Sequence, residues 1–204
     1  MRLIGMLDSP YVRRVAISMQ MMRLPFTHES LSVFRQFEDF ATINPVVKAP
    51  TLVTDNGVVL MDSTLILSYL ERLSSPERAL TPMPLADHAR AQRIIGLALA
   101  ACEKTIQIVY ERTLRPEDKH HQPWIDRVSG QLLAAYGSLD AEIGTGKAWL
   151  FGDRPLQADI TAAVAWRFTQ SVVSEIIRTS SFPSLSAFSE RAEALPEFLM
   201  YPID

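Results

Sequence analysis

The sequence has little of what several function classes require. One cysteine, Cys102, in 204 residues excludes an intrachain disulfide framework and a cysteine-rich zinc cage. The four histidines, His28, His88, His120 and His121, fall at none of the spacings that bring two imidazoles to one metal, such as H-E-x-x-H, so no metal is expected. Basic residues are not in surplus: 20 Lys and Arg against 23 Asp and Glu leave a formal charge of −3. A surface built to neutralise phosphates carries the opposite balance, so a nucleic-acid partner is not expected either. No apolar run approaches the about 18 residues that a membrane helix needs. The opening stretch also lacks a small-residue cleavage site behind a long apolar segment. The expectation is a cytoplasmic chain with no membrane partner.

What is present is a globular composition. With 48% hydrophobic and 21% charged residues, the chain is too apolar for disorder and can bury a core of one or two domains. Arg2–Leu7 is a short apolar run that suits a buried strand, and it stops at Asp8-Ser9-Pro10. Pro10 then opens a segment with Val12, Val15, Ala16, Met19 and Met22 at helical spacing, closed by Leu24-Pro25. Phe26–Val33 predicts a second strand and Arg35–Thr42 a short helix. Thr51–Thr54 and Val58–Met61 flank Asp55-Asn56-Gly57, a hairpin signal because Asn-Gly tolerates positive φ. Ser63–Leu73 predicts the next helix. The order is β-α-β-α-β-β-α, which implies a parallel pair joined by a right-handed crossover and an antiparallel hairpin at one edge.

Residues 76–84 hold three prolines and no periodicity, the composition of a linker. Beyond it the patterns are helical only: Ala86–Arg112, Trp124–Ile143, Pro155–Val173 and Ser184–Ala194. The predicted division is therefore an α/β domain over residues 1–75, a linker over 76–84, and an all-helical domain over 85–204.

Three places in the first domain can carry chemistry. Ser9-Pro10 follows a strand and opens a helix. Serine and proline suit that start for capping alone, yet the same geometry aims free N–H groups and a positive dipole end at an anion such as a thiolate. Pro50 precedes a strand, either as an edge device or, if cis, to turn the Ala49 backbone outward toward an extended peptide ligand. Asp62-Ser63 again stands at a helix start. A cap explains the serine, while an acid beside a hydroxyl and helical N–H groups also suits an amino-acid head group.

Taken in order, Leu7-Asp8-Ser9-Pro10-Tyr11-Val12-Arg13, then Asn44-Pro45-Val46-Val47-Lys48-Ala49-Pro50-Thr51-Leu52, then Leu60-Met61-Asp62-Ser63-Thr64-Leu65-Ile66 resemble the cytosolic glutathione transferases of the bacterial serine type. The resemblance runs over the whole chain. It implies a thioredoxin-like N-terminal domain, an all-helical C-terminal domain, glutathione as cosubstrate, a small electrophilic second substrate and a homodimer. Carried over residue by residue, Ser9 matches the serine that hydrogen-bonds the glutathione sulfur. Ala49 matches the residue whose backbone pairs with the cysteinyl unit, and Pro50 the cis-proline. Asp62 and Ser63 match the pair that holds the γ-glutamyl head, and Lys48 lies where the glycine carboxylate is contacted.

Tyr11, Tyr110 and Arg112, with Arg115, His120 and His121 nearby, fall in regions that the resemblance assigns to the second-substrate cleft. A basic helix end complementing its own dipole reads the same way. Cys102 and the three tryptophans, Trp124, Trp149 and Trp166, are expected in the core. The implied activity is conjugation of the glutathione thiolate to an electrophile. The alternatives are a glutathione-dependent isomerase, lyase or peroxidase on the same scaffold, or a non-catalytic ligand-binding member.

The sequence departs from the family pattern at two informative points. The loop usually reads Asn-Pro-x-Gly-Lys-Val-Pro, and here Val47 replaces the glycine, which predicts a reshaped turn beside Lys48. Leu156-Gln157-Ala158-Asp159 keeps the aspartate of a capping box but lacks its hydroxyl, at a cost of about 1 kcal/mol unless the preceding loop compensates.

Overall fold

A computed structural model describes residues 1–144 and 148–203. Two compact units divide the chain.

The first unit is built as the β-α-β-α-β-β-α order predicts: β1 (Arg2–Ile4), α1 (Pro10–Met21), β2 (Thr27–Glu29), α2 (Phe37–Ile43), β3 (Thr51–Val53), β4 (Val59–Met61) and α3 (Ser63–Glu71). The sheet order is β2-β1-β3-β4. β1 runs parallel to β2, with Leu3 opposite His28, and antiparallel to β3, with Leu3 opposite Leu52. Leu3, Ile4, Val12, Val15, Met19, Leu52, Ile66 and Leu70 form the core between sheet and helices. In the β3–β4 hairpin only Gly57 of the Asn-Gly pair takes positive φ, at +78°.

α1 stops because the chain turns left-handed at Arg23 (φ 57°), whose N–H returns to the Gln20 carbonyl while Leu24 returns to Met19. This is a Schellman closure with arginine in place of glycine, and Pro25 bars any continuation.

The second unit, Pro82–Glu193, is helical: α4 (Leu85–Thr113), α5 (Gln122–Ile143), α6 (Gln157–Val173) and α7 (Pro183–Glu193). Its centre holds a buried hydrogen-bond network. The Tyr136 hydroxyl donates to the Ala165 carbonyl at 2.9 Å and lies 2.6 Å from Thr169 Oγ1, which is 2.8 Å from Thr105 Oγ1. Trp149, Trp166 and Cys102 are core residues as expected. Trp124, expected with them, is instead half-exposed on the first turn of α5. No helix among the described residues is long and apolar enough to cross a membrane.

The observed units differ from the sequence division in two places. The chain through Thr81 belongs to the first unit, because the Glu71 carboxylate accepts the N–H groups of Leu80 and Thr81 and Leu80 is fully buried. Residues 194–204, expected with the helical domain, also group with the first unit. There the short helix α8 (Pro196–Leu199) meets α1. Arg13, 1% exposed, donates from Nε to the Tyr201 carbonyl at 2.8 Å and lies over the Phe198 ring, while Tyr201 stacks on Phe26.

The aspartate's half of the capping box is made, and the same carboxylate ties down the preceding loop. Asp159 Oδ2 accepts from Leu156 N and Oδ1 from Leu150 N, both at 2.9 Å. Burial pushes the Asp159 carboxyl up to about 6.

Candidate active site

Ser9 is the N-cap of α1 and Pro10 its first residue. The cap bond is long: Val12 N donates to Ser9 Oγ at 3.5 Å, at the outer edge of hydrogen-bond geometry. Among the described residues Ser9 Oγ has no other partner, which leaves its hydroxyl proton to donate. No acidic residue occupies the first turn of α1 to oppose an anion there.

The loop that carries Lys48, Ala49 and Pro50 reaches this helix through Gly5. A Cβ at Gly5 (φ +135°) would lie 2.6 Å from Val12 Cγ2 and 3.0 Å from the Ala49 methyl. Glycine is required for both the conformation and the close approach. Sequence reading passed over Gly5, although a glycine between a strand and a helix cap is a visible signal. The Ala49–Pro50 bond is cis. Among the described residues neither the N–H nor the carbonyl of Ala49 has a hydrogen-bond partner, although the residue is half-buried. Lys48 is exposed. In the turn beside it Val47 adopts the left-handed conformation, φ 50°, that a glycine would take without cost.

Asp62, not Ser63, caps α3. Its Oδ1 accepts from Thr64 N at 2.9 Å and from Leu65 N at 3.4 Å, and its own backbone is held at φ 71°. Ser63 is the first helical residue and is buried, with its Oγ accepting from Arg14 Nη1 at 3.2 Å. Arg14 was missed in the sequence because a basic residue in the middle of an amphipathic helix reads as a solvated face. It is in fact buried.

The first unit thus joins Ser9, Ala49 and Ser63 through one helix. α1 starts at Ser9, meets Ala49 at Gly5 and Val12, and holds Ser63 through Arg14. Tyr11 is half-buried in the first turn of the same helix. Tyr110 and Arg112 belong to the second unit, where Arg112 Nη1 donates to Glu175 at 2.6 Å. Arg115 and the His121 N–H both turn back onto the Glu111 carboxylate, which they hold below its ordinary range. Among the described residues no group of three or more His, Cys, Asp or Glu side chains is placed to hold a metal.

Two family models match the chain, a glutathione S-transferase N-terminal domain over residues 3–78 and a glutathione S-transferase C-terminal domain over residues 122–191. The chain belongs to the glutathione S-transferase family. A glutathione S-transferase from Methylobacterium radiotolerans, solved in complex with glutathione sulfonate, superposes with a TM-score of 0.90 at 27% identity, covering 98% of this chain and 93% of that one. A second, from Methylobacillus flagellatus with glutathione bound, also gives 0.90, over 100% and 99% of the two chains. At 20% identity it speaks for the fold alone.

By sequence the chain is similar to the maleylacetoacetate isomerase of Pseudomonas aeruginosa, with 28% identity over 123 residues, 59% of this chain and 56% of that protein. It is also similar to the glutathione S-transferase-like protein YibF of Escherichia coli, with 31% identity over 98 residues, 48% of each. The matched stretch spans about half the length of both relatives.

Proposed function

We propose that this family member is a glutathione-dependent enzyme in which Ser9 hydrogen-bonds the glutathione sulfur and, with the N-terminal N–H groups of α1, holds it as the thiolate. A free thiol titrates near about 8.5, and each unit of lowering is worth about 1.4 kcal/mol. A hydroxyl donor and the positive end of a helix both favour the anion. The observation that carries this reading is the Ser9 hydroxyl, committed to nothing among the described residues but one 3.5 Å cap bond at the start of α1.

The rest of the ligand follows from chemistry. The unpaired N–H and carbonyl of Ala49, beside Pro50, suit the cysteinyl backbone. Ser63 suits the γ-glutamyl carboxylate, exposed Asp62 its ammonium, and Lys48 the glycine carboxylate. The thiolate then forms a bond to an electrophilic carbon of a small second substrate, either displacing a leaving group that departs with its electron pair or opening an activated double bond whose carbanion takes a proton from water, and holding both reactants together makes that step effectively unimolecular. In the first unit, Tyr11 on the first turn of α1 remains the candidate for that substrate's side of the site.

A second reading, isomerisation, is favoured by the similarity to maleylacetoacetate isomerase. The thiolate would add to a double bond and leave again after rotation, so glutathione is regenerated. Conjugation consumes one glutathione per turnover, and counting free thiol during turnover separates the two.

The site is tested with Ser9→Ala. Affinity for S-methylglutathione, measured by calorimetry, is expected to stay within about twofold, because the contact matters for the anion. The pKa of the bound glutathione thiol, read by thiolate absorbance, is expected to rise by about one unit or more. An unchanged thiol pKa removes Ser9 from the mechanism and leaves the helix N-terminus or Tyr11 as the source of activation.

Assembly as a homodimer belongs to the same reading. β4 is one of the two sheet edges, and Val59 and Met61 on it and Leu65 on α3 are exposed apolar side chains. In the second unit the same holds for Leu85 at the start of α4. A dimer burying α3 and α4 removes this surface from water. Sedimentation is expected to give about twice the chain mass at micromolar concentration, and a stable monomer there refutes the dimer.

A further inference from the structure

We infer that Asn44 and Thr51 are positioning residues for the glutathione cysteinyl unit, acting through the peptide plane between Lys48 and Ala49. The inference rests on the glutathione reading above and deepens it. Asn44 and Thr51 are both buried, 3% and 0% exposed. Asn44 Oδ1 accepts from Val46 N at 3.1 Å, which fixes the amide so that Nδ2 donates to Thr51 Oγ1 at 2.8 Å. With that lone pair occupied, the Thr51 hydroxyl donates to the Lys48 carbonyl at 2.8 Å. Hydrogen bonds linked in this way reinforce one another in a low-dielectric interior.

The consequence lies across the peptide bond. In a planar trans peptide the carbonyl of one residue and the N–H of the next point in opposite directions. Tying the Lys48 oxygen down to β3 therefore turns the Ala49 N–H away from the sheet. That N–H has no acceptor among the described residues. It is the donor an extended peptide ligand pairs with when it lies along a strand edge.

Without the relay the 48–49 plane is free to rotate, and the ligand must pay the entropy of fixing it. Val47, held at φ 50° just before this plane, is tied by its N–H to the Asn44 backbone carbonyl, independently of the relay.

The test uses the full chain with S-methylglutathione as probe. Thr51→Val keeps the shape of the side chain and suits a strand, but removes the hydroxyl. It is expected to weaken binding by about three- to tenfold, the worth of one lost hydrogen bond, with the pKa of the bound glutathione thiol unchanged. Thr51→Ser restores the donor and is expected to restore affinity. Asn44→Asp offers an acceptor that draws the Thr51 proton away from Lys48, and is expected to weaken binding like Thr51→Val.

Binding by Thr51→Val within about twofold of the unsubstituted chain overturns the inference. So does a loss in Thr51→Ser equal to that in Thr51→Val, which marks a packing effect. An unsubstituted chain that does not bind S-methylglutathione refutes the glutathione reading itself, a different failure.

Discussion

Arg14 Nη1 donates to the Ser63 hydroxyl at 3.2 Å and lies 3.4 Å from the Thr64 hydroxyl, so a buried guanidinium on α1 grips the first turn of α3. A cation kept from water is costly unless its donors are used and a counter-charge is near. Here it stands beside the residue proposed to meet the γ-glutamyl carboxylate, where a charge-assisted contact is stronger than a neutral one.

Arg14→Met is accordingly expected to weaken S-methylglutathione binding by about tenfold or more, the scale of a charge-assisted bond. Arg14→Lys, which keeps the charge without the fork, is expected to fall between. Ser63→Ala in the Arg14→Met background should add little if the two act as one unit. Full additivity of the two losses rejects the coupling.

Val47 offers a stability test. A β-branched residue at φ 50° costs about 1–2 kcal/mol, whereas glycine pays only about 0.5–1 kcal/mol of extra chain entropy. Val47→Gly is expected to raise stability by roughly 0.5–1 kcal/mol, or about 1–4 °C in Tm. A lower Tm means that the half-buried isopropyl group contributes more than its backbone costs.

Asp159 gives the chain a pH signature. Its folded carboxyl is raised to about 6 by burial, above the unfolded value near about 4. The folded state then binds more protons between these values. The Asp159 contribution is full below about pH 4 and is lost as pH rises through about 6. Asp159→Asn keeps one acceptor of two and is expected to be destabilised throughout. Its deficit in denaturant midpoint against the unsubstituted chain should be widest near pH 4 and narrow toward pH 7. A deficit that widens with pH contradicts the buried, raised carboxyl.

How much of this was legible beforehand varies with the range of the interaction. The helices of the second unit and the β-α-β-α-β-β-α order of the first are written in apolar periodicity, caps and the Asn-Gly turn. These are local signals within one or two turns of chain. Ser9, Pro50 and Asp62-Ser63 were legible for the same reason, since each stands at a boundary between elements. Their identities mattered less than their places.

Tertiary structure decided what depends on pairing across the sequence. Ser63 reads as a cap, but Asp62 takes that position because its short carboxylate reaches Thr64 and Leu65 N while its backbone turns left-handed. Nothing local in the sequence marks Arg13 and Arg14 for burial. One is buried under the Tyr201 carbonyl from the far end of the chain and the other against Ser63, partners 188 and 49 residues away. Residues 194–204 read as the close of the helical domain, yet Phe198 is buried against α1 and Tyr201 stacks on Phe26, just before β2. Local order along the chain is enough to say which elements form and where helix ends face an anion. Only the packed chain decided which polar groups lose water, because desolvation depends on neighbours that arrive from elsewhere in the chain.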